Sequence, residues 1–330
     1  MMAQQSHEGK SVRSAVNNKI IGMAGLIAAM GMACAVSAQS YPAKPVRIVT
    51  VAPGSANDIV ARLIAQELRP ALGQTVIVDN RGTIAAEIVA RAPADGYTLL
   101  LYGSAVWLSP FIRSNTPWDP VQDFAPISLV AASPNIVVVH PSLPVKSVRE
   151  LIALARARPG ELNYAAGSLG AAPHLAAELF KSMAKLNIVR VAYKGTGGSL
   201  IGIISGEVEM MFPTAGSVTP HIKSGKLRAL AVTSLQPTAL APGLPLLAAA
   251  LPGYESVSLN GMFAPARTPD PVIRQLNTEI VRIMKRPDVK EKLVAAGTDA
   301  LATTPEEFAA TIKSEMAKWG KLIRDSGIRE

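Results

Sequence analysis

Apolar positions along this chain follow two alternating rhythms. Residues 46–52 are a β-branched apolar run, and after Pro53-Gly54-Ser55-Ala56-Asn57 the residues Ile59, Val60, Leu63, Ile64 and Leu68 recur at helical spacing. The pattern predicts a strand, a tight turn and a helix that Gly73 stops, with the next strand at 75–79. Further strands are predicted at 97–103, 124–131, 135–140, 162–167, 189–194, 208–212 and 227–234. Ser147-Val148-Arg149-Glu150 reads as a capping box ahead of a helix over 151–157, and Thr304-Pro305-Glu306-Glu307 as the start of the last helix. Pro173 suits the first turn of a helix reaching Lys185. Strands alternating with helices predict an α/β fold with mostly parallel sheets. Residues 235–252, with Pro237, Pro242, Pro245 and Pro252, read as a loop-rich connection outside the core.

The first 38 residues follow another logic. Lys10, Arg13 and Lys19 precede an apolar stretch over 20–35, and Val36-Ser37-Ala38 offers small residues before Gln39. This is the pattern of a cleaved secretory leader, which predicts a periplasmic protein. The rivals are an uncleaved anchor and a lipoprotein built on Cys34. The clean small-residue site favours cleavage, and Gly31-Met32-Ala33-Cys34 lacks the usual aliphatic residue before the cysteine.

Composition narrows the classes. The chain has 330 residues, 49% hydrophobic and 17% charged, with 25 Gly and 25 Pro, so it can bury a core and is not low-complexity disorder. Its length suggests two domains. The single cysteine excludes intramolecular disulfides and cysteine-built zinc sites. The formal charge of +9 falls by two when residues 1–38 are removed. The remaining basic residues are scattered and do not interleave with aromatics, so no nucleic-acid partner is expected.

In open α/β sheets, ligands bind where strands lead into helix N-termini. Three small, donor-rich turns meet that description: Pro53-Gly54-Ser55-Ala56-Asn57-Asp58, Ala166-Gly167-Ser168-Leu169-Gly170-Ala171-Ala172 and Gly195-Thr196-Gly197-Gly198-Ser199. Glycine admits a ligand close to backbone N–H groups, and the helix dipole favours an anion. Each turn is equally readable as a plain tight turn. Ser55, Asn57 and Ser168 are expected either to hold a ligand or to cap helices. His174 is expected to touch the ligand or to bond the backbone at its helix start. Asp58 also suits a helix dipole. No dinucleotide fingerprint, Walker lysine or nucleophile elbow is complete. The three histidines beyond the leader lack metal spacing, so no catalytic residue, metal or cofactor is expected.

Tyr41-Pro42-Ala43-Lys44-Pro45-Val46-Arg47-Ile48-Val49, Asp95-Gly96-Tyr97-Thr98-Leu99-Leu100, Asp119-Pro120-Val121-Gln122-Asp123-Phe124, Pro159-Gly160-Glu161-Leu162-Asn163-Tyr164 and Tyr193-Lys194-Gly195 occur in order. With the stretches at 220–228, 259–265 and 304–308, they make the chain resemble the Bug family. These are the extracytoplasmic solute receptors of tripartite tricarboxylate transporters. The resemblance implies a two-lobed periplasmic-binding-protein fold of type II, the Venus-flytrap kind, with lobe one at 39–140 plus 254–330 and lobe two at 141–253. It implies a receptor that closes around a small organic anion, a carboxylate held by loop backbone, small hydroxyls and bridging waters. Membrane permease subunits are the implied partners. The alternatives are a receptor that presents its closed form to a membrane sensor kinase, and an exported enzyme of the same architecture. Pro53, Gly54, Ser55, Ala56, Asn57, Asp58, Ser104, Gly167, Ser168, Gly170, Ala171, His174, Lys194, Gly195 and Thr214 form the expected ligand-binding set.

Three departures from the family pattern stand out. Asn80-Arg81 runs through Gly82-Thr83 directly into Ile84, without a longer glycine-rich insert. Ser55 stands where a second glycine is usual, and Pro213 where an aspartate is common. A shortened loop is expected to widen the cleft or weaken carboxylate capture.

Overall fold

Val46, Ile48 and Val49 have no exposed surface, so their strand must be covered on both faces. The computed structural model describes residues 41–51, 53–167 and 169–329, and Lys44–Glu330 form one unit. The expected leader, with its cut at Gln39, lies outside the described residues, as do Ala52 and Ser168.

The chain begins with β1 (Val46–Thr50), α1 (Ala56–Leu72), β2 (Val76–Asn80), α2 (Ala85–Ala90), β3 (Thr98–Gly103), α3 (Ala105–Ile112) and β4 (Phe124–Pro134). It continues through β5 (Ile136–Val139), α4 (Val148–Ala157), β6 (Asn163–Ala166), α5 (Ala172–Ala184), β7 (Val189–Ala192), α6 (Gly195–Ile204), β8 (Met210–Met211), α7 (Ala215–Lys223) and β9 (Arg228–Val232). It returns through β10 (Val257–Pro265), α8 (Asp270–Met284), α9 (Pro287–Ala295), β11 (Asp299–Ala300) and α10 (Pro305–Asp325). Among the described residues, no helix is long and apolar enough to cross a membrane.

The strands form two sheets, ordered β11-β4-β10-β3-β1-β2 and β7-β6-β8-β5-β9. The α/β class is as expected, but strand orientation is mixed and not mostly parallel. In the first sheet β1 is parallel to β2 and β3, whereas β10 is antiparallel to β3 and β4. In the second, β6 is parallel to β7 and β8, whereas β5 is antiparallel to β8 and β9. The antiparallel β4–β10 and β5–β9 pairs arise where the chain crosses between sheets and comes back beside its outgoing strand, a pairing that the run of apolar residues does not encode.

The outgoing crossing is Asn135, between β4 and β5, and the return lies between β9 and β10. The chain therefore leaves the first sheet before residue 140, because β5 pairs only with second-sheet strands. The two crossings are tied together. Asn135 N–H donates to Thr233 Oγ1 at 2.8 Å, Thr233 N–H to Asn135 O at 2.9 Å, and Ser256 N–H to Thr233 O at 3.0 Å. Asn135 Nδ2 donates to Phe212 O at 2.7 Å, and all three crossing residues are buried.

Alternation along β5 supplies two cores at once. Val137 and Val139 pack with Tyr164, Phe180 and Phe212, while Ile136 and Val138 face the opposite cluster with Ile203 and Val218. In the first sheet Val49, Leu100, Trp107, Phe263, Phe308 and Trp319 share one core, and the Phe263 and Phe308 rings lie 4.8 Å apart. The stretch 235–252 departs from its expected role: Leu247 is fully buried in the second-sheet core, and Leu240 and Ala241 are nearly so. Its prolines break regular structure without excluding its apolar side chains from burial. The helix α3 carries no sequence periodicity, since it is apolar nearly all round and contains Pro110.

One expected capping box is complete and the other is half formed, since the Glu150 carboxylate accepts the Lys146 N–H and not that of Ser147. Ser147 Oγ accepts the Glu150 N–H, and Thr304 with Glu307 forms a complete reciprocal box. Gly73 closes α1 in the left-handed conformation, with φ of 63°.

Gly261 on β10 is a packing constraint, because a Cβ there would stand 2.1 Å from Phe308 Cζ. Gly261→Ala is expected to lower stability by about 1–3 kcal/mol through overpacking. Urea unfolding checks this, and an unchanged midpoint would show that Phe308 moves aside at no cost.

Candidate functional site

Parallel β1 and β3 end at one edge of the first sheet, which sets the turn after β1 beside the start of α3. The β1 turn is stabilised from within. Asp58 is buried, and its carboxylate accepts from Gly54 N–H at 2.9 Å, Arg62 Nε at 3.1 Å and Asn80 Nδ2 at 2.9 Å. Burial alone would raise its pKa, but the bonds from Arg62, Asn80 and Gly54, with the Arg62 charge, hold it below the usual carboxylate range. Gly54, expected to offer its N–H to a ligand, therefore spends it on Asp58. Ser55 is the N-cap of α1, and its Oγ accepts the Asp58 N–H at 3.2 Å.

Asn57 stands differently. It is half-buried in the first turn of α1, close to Gly103 at the end of β3. A Cβ on Gly103 would lie 4.0 Å from Asn57 Nδ2 and 3.4 Å from Asn260 Oδ1. Two side-chain amides thus flank a bare glycine. Ser104, half-buried, occupies the N-cap position of α3 without a side-chain capping bond. Pro53 and Ala56 are exposed beside them.

The second sheet repeats the arrangement with β6, β7 and β8, parallel and ending at a common edge. Gly167 follows β6 and abuts Gly195 after β7, since a Cβ on Gly167 would come 2.9 Å from the Gly195 carbonyl carbon. The expected loop at 195–199 is instead the first turn of α6, where Ser199 Oγ donates to Gly195 O at 3.1 Å. Lys194 is exposed at the N-cap position of α6. Thr214 holds the corresponding place on α7, its Oγ1 3.2 Å from Ser217 Oγ. Pro213 is buried, and its carbonyl accepts the Ile136 N–H at 2.8 Å.

His174 supports the β6 turn from beneath. The Gly170 N–H donates to His174 Nδ1 at 3.0 Å, so the neutral ring carries its proton on Nε2. The ring stacks on Tyr164 and is pushed down to a pKa of about 4, chiefly by burial and then by the charge of Arg190. Arg190 Nη2 donates to Gly167 O at 3.2 Å, which makes it a second support of the same turn. Ser168 lies outside the described residues.

The two sheets meet across these turns. Gly170 presses on Ile112 at the end of α3, where a Cβ would stand 2.0 Å from Ile112 Cδ1, and its φ of 71° also requires glycine. Beside this contact lies a cavity of about 390 Å³ lined by Thr83, Tyr102, Ala105, Ser109, Ile112, Arg113 and Trp118 from one side and Leu169, Gly170 and Ala171 from the other. The shortened loop at Gly82-Thr83 forms a single turn of tight helix and brings Thr83 to this wall.

Two sheets joined by paired crossings, with strand-end turns facing each other over a cavity, are the arrangement of a periplasmic-type solute-binding protein. The model of the tripartite tricarboxylate transporter family receptor matches residues 60–328, and the chain belongs to that family. It is 34% identical over 322 residues to the protein BugT of Bordetella pertussis, covering 94% of this chain and 98% of that one. Among solved structures it resembles Rpa4515 of R. palustris with adipate, with TM-score 0.78 and 34% identity over 87% of this chain and 98% of the other. It also resembles the periplasmic binding protein BugD, with TM-score 0.75 and 31% identity, covering 88% of this chain and all of that one.

Sequence reasoning did not single out Asn260, Arg190 or the α3 stripe of Ala105, Ser109 and Ile112. Helical spacing of residues 105, 109 and 112 was the available signal, but it is hidden in a run that is apolar throughout.

The His174 environment sets a pH dependence. Its pKa falls from 6.5 to about 4 on folding, so between those values the unfolded chain binds the proton and the folded chain does not. Stability should fall as pH drops from 6.5 towards 4, with no contribution from this residue above that window. Urea midpoints across the window for wild type and His174→Gln, which keeps an acceptor for Gly170, check this. Equal slopes for the two proteins would remove His174 from the account.

Proposed function

We propose that the protein is a periplasmic receptor that captures a small carboxylate between its two sheets and delivers it to the membrane permease of a tripartite tricarboxylate transporter. The observation that carries this reading is the cavity closed by Gly170 against Ile112, with helix-starting turns from both sheets around it. A carboxylate is the chemistry such turns accommodate, because helix N-termini present unpaired N–H groups and a positive dipole end. Adipate in the similar R. palustris protein is consistent with that assignment. Lobe one comprises the strands of the first sheet and lobe two those of the second, and they pivot at Asn135 and Thr233. Asn57 and Ser104 serve the ligand from lobe one, and the turns at Gly167–Ala171, Gly195 and Thr214 from lobe two. Ser55, Asp58 and His174 hold these turns in shape. The family is one of receptors, which favours binding and release over turnover.

Asn57→Ala is expected to weaken carboxylate binding by about 10–100-fold, because a donor to a charged group contributes roughly 1.5–3 kcal/mol. Ser55→Ala should instead cost about 1 kcal/mol of stability through the lost cap. Calorimetric titration with adipate beside thermal melts separates the two. If Asn57→Ala leaves affinity intact, the carboxylate sits elsewhere.

Export follows from the leader. The mature protein in the native envelope should begin at Gln39, which intact-mass spectrometry of periplasmic extracts reads directly. Retention of residues 20–38 on a membrane-bound form would reject cleavage.

A further inference from the structure

The turn after β6 is backed by a charged cluster. Arg190 stands opposite Tyr164 in the β6–β7 ladder, so the two side chains share one face of the sheet. Tyr164 is fully buried, its hydroxyl donates to Glu178 Oε1, and Lys181 Nζ donates to the same oxygen at 2.7 Å. The Glu178 carboxylate therefore already serves a phenol and an ammonium. Arg190 is bonded elsewhere: its Nη2 donates to Gly167 O at 3.2 Å, and its Nε is buried and meets no acceptor among the described residues.

Two cations thus stand against one carboxylate. His174, stacked on Tyr164, is held neutral chiefly by burial, and the charges of Arg190, Glu178 and Lys181 all act on it. The β1 turn is the reverse case, since its buried charge is the Asp58 carboxylate, which Arg62 pairs. A partly desolvated cation is costly unless an anion completes it. The β6 turn offers the place for one. Its Gly167 carbonyl touches the guanidinium, and its Leu169, Gly170 and Ala171 line the cavity.

We propose that Arg190 is a positioning residue that supplies positive charge to the ligand site from behind the β6 turn, so that lobe two favours anionic over neutral ligands without an arginine touching them. This rests on the receptor reading above and assigns the charge selection of that site to one residue. The guanidinium suits the task because it stays protonated at any pH the protein meets, and its bond to Gly167 O fixes the charge beside the turn.

The test is calorimetric titration of the full chain at neutral pH with adipate, succinate, malate and benzoate. Arg190→Gln should weaken the tightest of the four by about 5–30-fold, the size of one unit-charge interaction at a partly buried site, while Arg190→Lys stays within about threefold of wild type. Lys181→Gln removes the other cation and leaves the Gly167 bond in place, so it should weaken binding by about 2–5-fold. The His174 proton, followed by NMR, reports the same charge: its pKa should rise in Arg190→Gln and stay low in Arg190→Lys, because the Arg190 charge depresses it. Should Arg190→Gln fail to fold, Lys181→Gln decides alone. A mere brace for the turn predicts equal losses in Arg190→Gln and Arg190→Lys and none in Lys181→Gln. That pattern, wild-type affinity in Arg190→Gln, or an unchanged His174 pKa in it, overturns the inference and leaves the receptor reading standing. Binding of none of the four acids by wild type overturns both.

Discussion

The structure depends on one constraint: the chain must cross between its two sheets at one place. Asn135 and Thr233 are fully buried and exchange backbone and side-chain bonds, so the outgoing and returning crossings cannot separate without exposing polar groups. Thr233 Oγ1 lies 2.9 Å from Asn135 O and 2.6 Å from Ser256 O, and its single proton can serve only one of them at a time. From this junction β4 and β10 run back antiparallel into the first sheet, while β5 and β9 run antiparallel into the second. The cavity exists because the sheets are joined there and meet again at Gly170 and Ile112.

The turns around the cavity are shaped by groups that do not themselves need a ligand. Asp58 is a carboxylate in a site proposed for anions, yet three donors occupy it, and Arg62 pairs with it. Its charge is therefore compensated before any ligand arrives. His174 works by the opposite means. Burial keeps it neutral, and a neutral imidazole can accept the Gly170 N–H where a protonated one cannot. Arg190 fixes the other side of the same turn through the Gly167 carbonyl. Preorganised donors of this kind avoid the ordering cost that a flexible loop would add on binding.

Glycine has two distinct duties here. At Gly170 a positive φ and contact with Ile112 coincide, so the turn can close on α3 only without a side chain. At Gly167 the backbone is ordinary, and the lack of Cβ matters because the Gly195 backbone approaches closely. Gly216 and Gly297 form a similar contact between α7 and the segment after α9, which brings the sheets together at a second point.

Much of the fold was legible in the residues. The apolar runs gave β1, β3 and β5, Ser147 and Thr304 marked helix starts, and the turn at 53–58 was recognisable because its capping chemistry is local. The family resemblance was carried by short motifs in order. Strand direction was not legible, since an apolar run fits a parallel or an antiparallel neighbour equally well. Nor was the burial of Leu247 inside a proline-rich segment, or the division of labour within the β1 turn. Ser55, Asn57 and Asp58 look equally suited to a ligand on paper, and only their partners separate a cap and an internal acceptor from a side chain facing Gly103. Asn260 became a candidate only through packing, because it meets Gly103 from β10, far along the chain. The sequence by itself determined which turns are rich in donors, as that depends on adjacent residues. Tertiary structure decided how those turns are braced, because Asn80 of β2 reaches Asp58 and Arg190 of β7 reaches the Gly167 carbonyl from segments far along the chain.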